Sequence, residues 1–195
     1  MTIEQAAFAF QTDGTPIECD AFGHGHINNT FCITTDTGAK YVLQRINKYV
    51  FKNPILVMAN SSAVTNYLRE RVEDPRMTLH FLPTHEGKYY YKGDDGEFWR
   101  MYDFVGGFTL DMPETDEDFY QSALAFGNFQ QMLTDFPAET LSETIPMFHN
   151  TANRFKLFRE KLAEDPMGRA ANVKAEIEFA LAHEAEASTL VDLQA

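Results

Sequence analysis

The chain has 195 residues, 44% hydrophobic and 13% aromatic, enough for one domain of ordinary size or a small domain with part of a second. Sixteen Lys and Arg against 29 Asp and Glu leave a net charge of −13, so most of the surface repels nucleic-acid backbone and anionic membrane, and both are set aside as partners. Two cysteines (Cys19 and Cys32), an N-terminus without the basic residue of a signal peptide, and no run near the ~18 apolar residues of a membrane helix point to a cytoplasmic protein without a disulfide framework.

In chain order, residues 8–11 and 17–22 read as strands around a turn at 13–16 (DGTP). After GHGHINNTF at 23–31, the segment TFCITT (30–35) is rich in β-formers. The turn Asp36-Thr37-Gly38 then returns it into KYVLQRIN (40–47), so the two form a hairpin. Asn53-Pro54 is a helix start, with Asn at the cap and Pro in the first turn. Ile55, Met58, Ala59, Ser62, Tyr67 and Arg71 follow as a loose helical stripe, stopped by Asp74-Pro75. Strands are expected at 79–84, 87–92 and 97–105. From Thr115 the pattern is helical, with acids in the first turn of TDEDFYQSALAF; further helices are expected over 145–162 and 172–193. Strands followed by helices make the fold class α+β, with a strand-rich part at 1–105 and a helical part at 106–195.

The loop at 23–31 has three readings. Gly23 and Gly25 carry no Cβ, so backbone N–H groups could lie close to a nucleotide's phosphates, with Asn28, Asn29 and Thr30 as neutral donors. Such a turn between two strands is nearer to the glycine-rich hairpin of kinases than to the GxxxxGK[ST] loop. A plain polar hairpin tip needing glycine is the second reading. A metal held by His24 and His26 is the third, and it lacks further ligands at suitable spacing. On the next strand Arg45 can reach a phosphate with a permanently charged fork; Leu43 shares its face, and Val42 and Gln44 take the other. The helix from Pro54 to Arg69 carries no Asp or Glu to orient that cation. FWRMYDFVGG (98–107) fits a strand running into a linker whose backbone could face adenine.

Taken in order, GHGHINNTF, YVLQRIN, VFKNP, WRMYDFV, AFGNFQQML and FHNTANRF resemble the N-acetylhexosamine 1-kinase group of the aminoglycoside phosphotransferase-like kinases, some of whose relatives carry the older label mucin desulfatase. The resemblance runs from about residue 20 to the C-terminus. It implies a protein-kinase-like N-lobe (an antiparallel sheet plus one helix) followed by the first helices of a helical C-lobe. It also implies ATP and Mg²⁺ as cofactors, and phosphoryl transfer to a hydroxyl of an N-acetylated hexosamine. Under it, Gly23, His24, Gly25, His26, Asn28, Asn29 and Thr30 would cover the phosphates and Arg45 would be the third-strand cation. Met101, Tyr102, Asp103 and Phe104 would form the adenine linker. His149, Thr151 and Arg154 would belong to the sugar side.

The departure from that family lies in the chemistry. No H-x-D-x-x-x-x-N occurs: His149 is followed by Asn150 and Thr151, and His80, His85 and His183 fail likewise. The acids at 116–118 complement a helix start. No catalytic residue and no metal ligand are therefore assigned. The expectation is the N-terminal portion of a kinase, inactive as given, with exposed apolar surface and hence self-association. A non-catalytic nucleotide- or protein-binding module is the alternative. A sulfatase would need Cys or Ser in a C/S-x-P-x-R context, which neither Cys19 nor Cys32 has.

Overall fold

The computed structural model describes residues 2–23, 25–108, 110 and 112–193. The chain divides into two compact units, Met1–Thr144 and Ile145–Ala195. The change from strand to helix near residue 105 falls inside the first unit.

The first element is a helix, α1 (Ile3–Ala7), where Thr2 and Gln5 form a reciprocal capping box. No strand forms at 8–11. Ala6, Ala7 and Phe10 are all buried, at a helical spacing, and the chain keeps only a bridge from Phe10 to Thr84. Five strands follow: β1 (Pro16–Ala21), β2 (Asn29–Thr35), β3 (Lys40–Ile46), β4 (Tyr91–Lys92) and β5 (Phe98–Asp103). They form one antiparallel sheet in the order β1-β2-β3-β5-β4. The β2–β3 hairpin closes as read from the sequence, with Gly38 at φ +84° donating to the Thr35 carbonyl at 3.0 Å. The segment 79–84 is not a strand. Pro83 has no N–H to give a ladder, and the segment makes isolated bridges to two different partners, Phe10 and Tyr102.

Between β3 and β4 lies α2 (Pro54–Arg69). Asn53 caps it by accepting the Leu56 N–H at 3.3 Å. The sheet therefore has two different faces. On one, Ile33, Tyr41, Leu43, Trp99 and Met101 pack with Ala6, Ala7 and Phe10 of the α1 segment. On the other, Ile46 packs with Met58 of α2 and with Phe81. Cys19 and Cys32 are half-buried free thiols. Burial, reinforced by the charges of Glu4 and Asp20, pushes the Cys19 pKa up to about 11, and burial raises that of Cys32.

α3 (Asp116–Met132) starts on a second capping box, Thr115 with Asp118. The Thr115 hydroxyl and the N–H groups of residues 115 and 114 hold the Asp118 carboxyl below the usual range. In the second unit α4 (Thr151–Glu164) begins later than the expected 145, at the Asn150 cap. The single helix expected at 172–193 is two, α5 (Lys174–Ala182) and α6 (Thr189–Leu193). The Ser188 hydroxyl donates to Asp192 at 2.7 Å and opens the second. None of α3 to α6 contains a buried residue.

Candidate functional site

Residues 22–28 join β1 to β2. The Phe22 N–H donates to the Thr30 carbonyl at 2.9 Å and closes the root of the loop. Gly23 has φ +77°, a conformation that favours glycine, and a Cβ added at Gly23 or Gly25 would meet nothing within 4 Å. The space over both glycines is open. His24 lies outside the described residues, and His26 is exposed. Among the described residues no three His, Cys, Asp or Glu side chains gather to hold a metal.

The polar residues after the glycines fasten the loop to β3. Asn28 Oδ1 accepts the Asn47 N–H at 3.0 Å, and Asn47 Nδ2 donates to the Ile27 carbonyl at 3.0 Å. Asn29 Oδ1 accepts from Arg45 Nη2 at 2.7 Å and Nε at 3.2 Å. Arg45 pairs in register with Asn29 on one side and Trp99 on the other, so it shares their face of the sheet, the α1 face. Glu97 stands 3.9 Å from it and binds Lys48 at 2.5 Å. Arg45, read from the sequence as a phosphate cation, is here engaged with Asn29 and Glu97 on the face away from α2.

The α2 face carries a different polar row. Thr30, Gln44 and Arg100 are in register across β2, β3 and β5. Gln44 Nε2 donates to Thr30 Oγ1 at 3.0 Å, while Gln44 Oε1 accepts from Arg100 Nε at 3.0 Å and Nη2 at 2.9 Å. Arg100 also meets Met58 Sδ of α2 at 4.0 Å from Nη1 and stands 5.6 Å from the Phe81 ring. Burial lowers the Arg100 pKa from the ordinary guanidinium value, and it stays charged. Sequence reading passed over this pair. Its signal is in FWRMYD, where Arg100 stands between Phe98 and Tyr102 on one face of the strand.

The neighbouring row on the same face is Cys32, Val42 and Tyr102. Beside it the Phe22 and Phe104 rings meet edge to face, centroids 5.5 Å apart, joining the loop's root to the linker after β5. Of the linker residues named from the sequence, Met101 is wholly buried and its carbonyl accepts the Leu82 N–H at 2.9 Å. The Asp103 N–H donates to His80 O at 3.1 Å, and the Phe104 N–H to Lys40 O at 3.2 Å. His80 Nδ1 and Asp103 Oδ2 lie 2.9 Å apart. Among the described residues Val105 is the first after β5 whose N–H has no backbone partner.

His149, Thr151 and Arg154 fall in the second unit, around the start of α4. Arg154 Nη1 donates to the Phe148 carbonyl at 2.7 Å with its guanidinium 5.1 Å from the Phe148 ring, and the His149 ring lies 4.8 Å from that same ring. Thr151 is the first residue of the helix. In this unit the three residues shape a helix entry.

No protein-family model matches the sequence. Among the solved structures that share its fold are two small-molecule kinases. One is an aminoglycoside phosphotransferase from Alicyclobacillus acidocaldarius subsp. acidocaldarius DSM 446, with TM-score 0.58 and 14% identity over 86% of this chain and 44% of that one. The other is the amicoumacin kinase hAmiN in complex with AMP-PNP, Ca²⁺ and Ami, with TM-score 0.52 and 14% identity over 85% of this chain and 52% of that one. The chain spans about half the length of these neighbours. Its five-stranded antiparallel sheet and helices therefore make an α+β fold of the kinase-like kind seen in small-molecule phosphotransferases.

Proposed function

We propose that this chain is the nucleotide-binding portion of an ATP-dependent small-molecule kinase whose acceptor is a hydroxyl of an N-acetylhexosamine. One observation carries the nucleotide reading: an open glycine turn and a linker whose Val105 N–H has no backbone partner among the described residues are joined by the Phe22–Phe104 ring pair. In this reading adenine lies along Cys32, Val42 and Tyr102 and bonds the linker backbone, and the triphosphate runs beneath residues 23–30. The residues fit a nucleotide: no Cβ blocks the turn, and Val42 and Tyr102 give the row an apolar and aromatic surface. Mg²⁺ would neutralise phosphate charge when bound; the described residues offer it no cluster of ligands.

The sugar acceptor, and the roles of His149, Thr151 and Arg154 in binding it, rest on the family resemblance. So do the cytoplasmic setting and the kinase reaction itself. Among the described residues no helix is long and apolar enough to cross a membrane. Self-association is part of the proposal, supported by rings on α3 such as Phe119 and Phe126, which are 61% and 70% exposed. The second reading is a module that binds nucleotide without transferring its phosphate.

Calorimetric titration of the chain with AMP-PNP and MgCl₂ tests the shared part of both readings. Saturable binding with one site per chain is expected. No heat and no change in thermal midpoint at millimolar nucleotide would remove both. Transfer of the γ-phosphoryl group from ATP to an N-acetylhexosamine hydroxyl, read as ADP and sugar phosphate on the product of the full coding sequence, separates them.

A further inference from the structure

We infer that the cation which receives the nucleotide's phosphates in this chain is Arg100 of β5, and that Gln44 of β3 positions it. The inference rests on the nucleotide reading above and deepens it. In a kinase-like site the third strand supplies the cation, and a carboxylate from the following helix orients it. Here neither part is in that place. On the α2 face β3 offers Gln44, and α2 carries no Asp or Glu from Pro54 to Arg69. The guanidinium that occupies this face comes from the neighbouring strand.

Charge balance makes Arg100 stand out. The chain has 29 acids and 16 bases, and several exposed bases have carboxylate partners: Arg76 with Asp74, Lys88 with Glu86, Lys161 with Glu164. Arg100 is more enclosed than these, yet among the described residues no carboxylate pairs with it. A desolvated cation without a counter-charge is costly, and an anion that binds there relieves the cost. The Gln44 carbonyl takes the Nε–Nη2 edge and fixes the plane of the fork, while among the described residues the hydrogen-bond partner of Nη1 is the Met58 sulfur at 4.0 Å. That nitrogen remains a strong donor without a strong acceptor. The fork also borders a cavity of about 560 Å³ that Thr65 and Leu68 of α2 line with Leu79 and Phe81. Through Gln44 and Thr30 it is linked by hydrogen bonds to the strand on which the glycine loop returns. Arg45, on the other face, is tied to Asn29 and keeps the loop in place.

The test compares adenosine with AMP-PNP by calorimetry on the full chain. The wild type is expected to bind AMP-PNP at least tenfold more tightly than adenosine. Arg100→Gln should erase that gain, weakening AMP-PNP about tenfold or more with adenosine unchanged. Arg45→Gln should keep most of it. Arg100→Lys, which preserves charge and folding but loses the fork, should fall between, and Gln44→Met should weaken AMP-PNP alone. Arg100→Lys and Arg100→Gln with the full phosphate gain, or Arg45→Gln without it, would overturn the assignment while adenosine binding upheld the nucleotide reading. A wild type that binds neither compound would end both.

Discussion

Leu43→Ala is expected to lower the stability of the first unit by about 2–5 kcal/mol, the range for removing a buried leucine from a packed core. Leu43 is fully buried at the centre of β3, in register with Phe31 on one side and Met101 on the other, and packs with Ala6, Ala7 and Phe10. Residues on three strands and the α1 segment border the void, so none can collapse into it without moving a ladder. Trp99, the one tryptophan in the sequence, lies in the same core and reports its loss by fluorescence in urea. Leu157→Ala on α4, where the side chain is half exposed, should cost under about 1 kcal/mol by comparison. Equal shifts for both substitutions would contradict the placement of the core under α1.

Val105→Pro is expected to weaken AMP-PNP binding about tenfold while leaving the thermal midpoint near the wild-type value. Proline removes one N–H, fixes φ and biases Phe104 toward the extended backbone of the strand it follows. In the free chain that N–H makes no backbone hydrogen bond among the described residues, so its loss costs the fold little. In the complex it would face adenine, where a lost hydrogen bond is worth about 1–1.5 kcal/mol, close to a factor of ten. Phe104→Pro is the contrasting case. It removes an N–H that bonds Lys40 at 3.2 Å, so it should reduce stability. Unchanged nucleotide affinity in Val105→Pro would place adenine away from the linker.

The sequence made the β2–β3 hairpin, the Asn53-Pro54 helix start and the alternation of Arg45 and Gln44 across β3 readable, because local chemistry sets each of them. Turn glycine, cap and period 2 act within a few residues. What escaped depends on partners far along the chain. Residues 8–11 look like a strand by composition, yet Phe10 is drawn under the sheet beside Ala6 and Ala7. The expected strand at 79–84 splits its bonds between Phe10 and Tyr102, a choice made by tertiary position. The polar run Asn28-Asn29 suits ligand donors as well as it suits a clasp, and only the register with Arg45 and the bonds to Asn47 show the clasp. The Gln44–Arg100 pair spans 56 residues, and period alone says which face each takes without saying that they meet.

The most direct test is photolabelling of the chain with 8-azido-ATP and Mg²⁺, followed by peptide mapping. Label within residues 21–46 and 98–108, displaced by unlabelled AMP-PNP, is the result expected if nucleotide lies on the α2 face beneath the loop at 22–30. Label confined to the α1 side, in residues 2–12 or 84–92, or label that AMP-PNP does not displace, would contradict it.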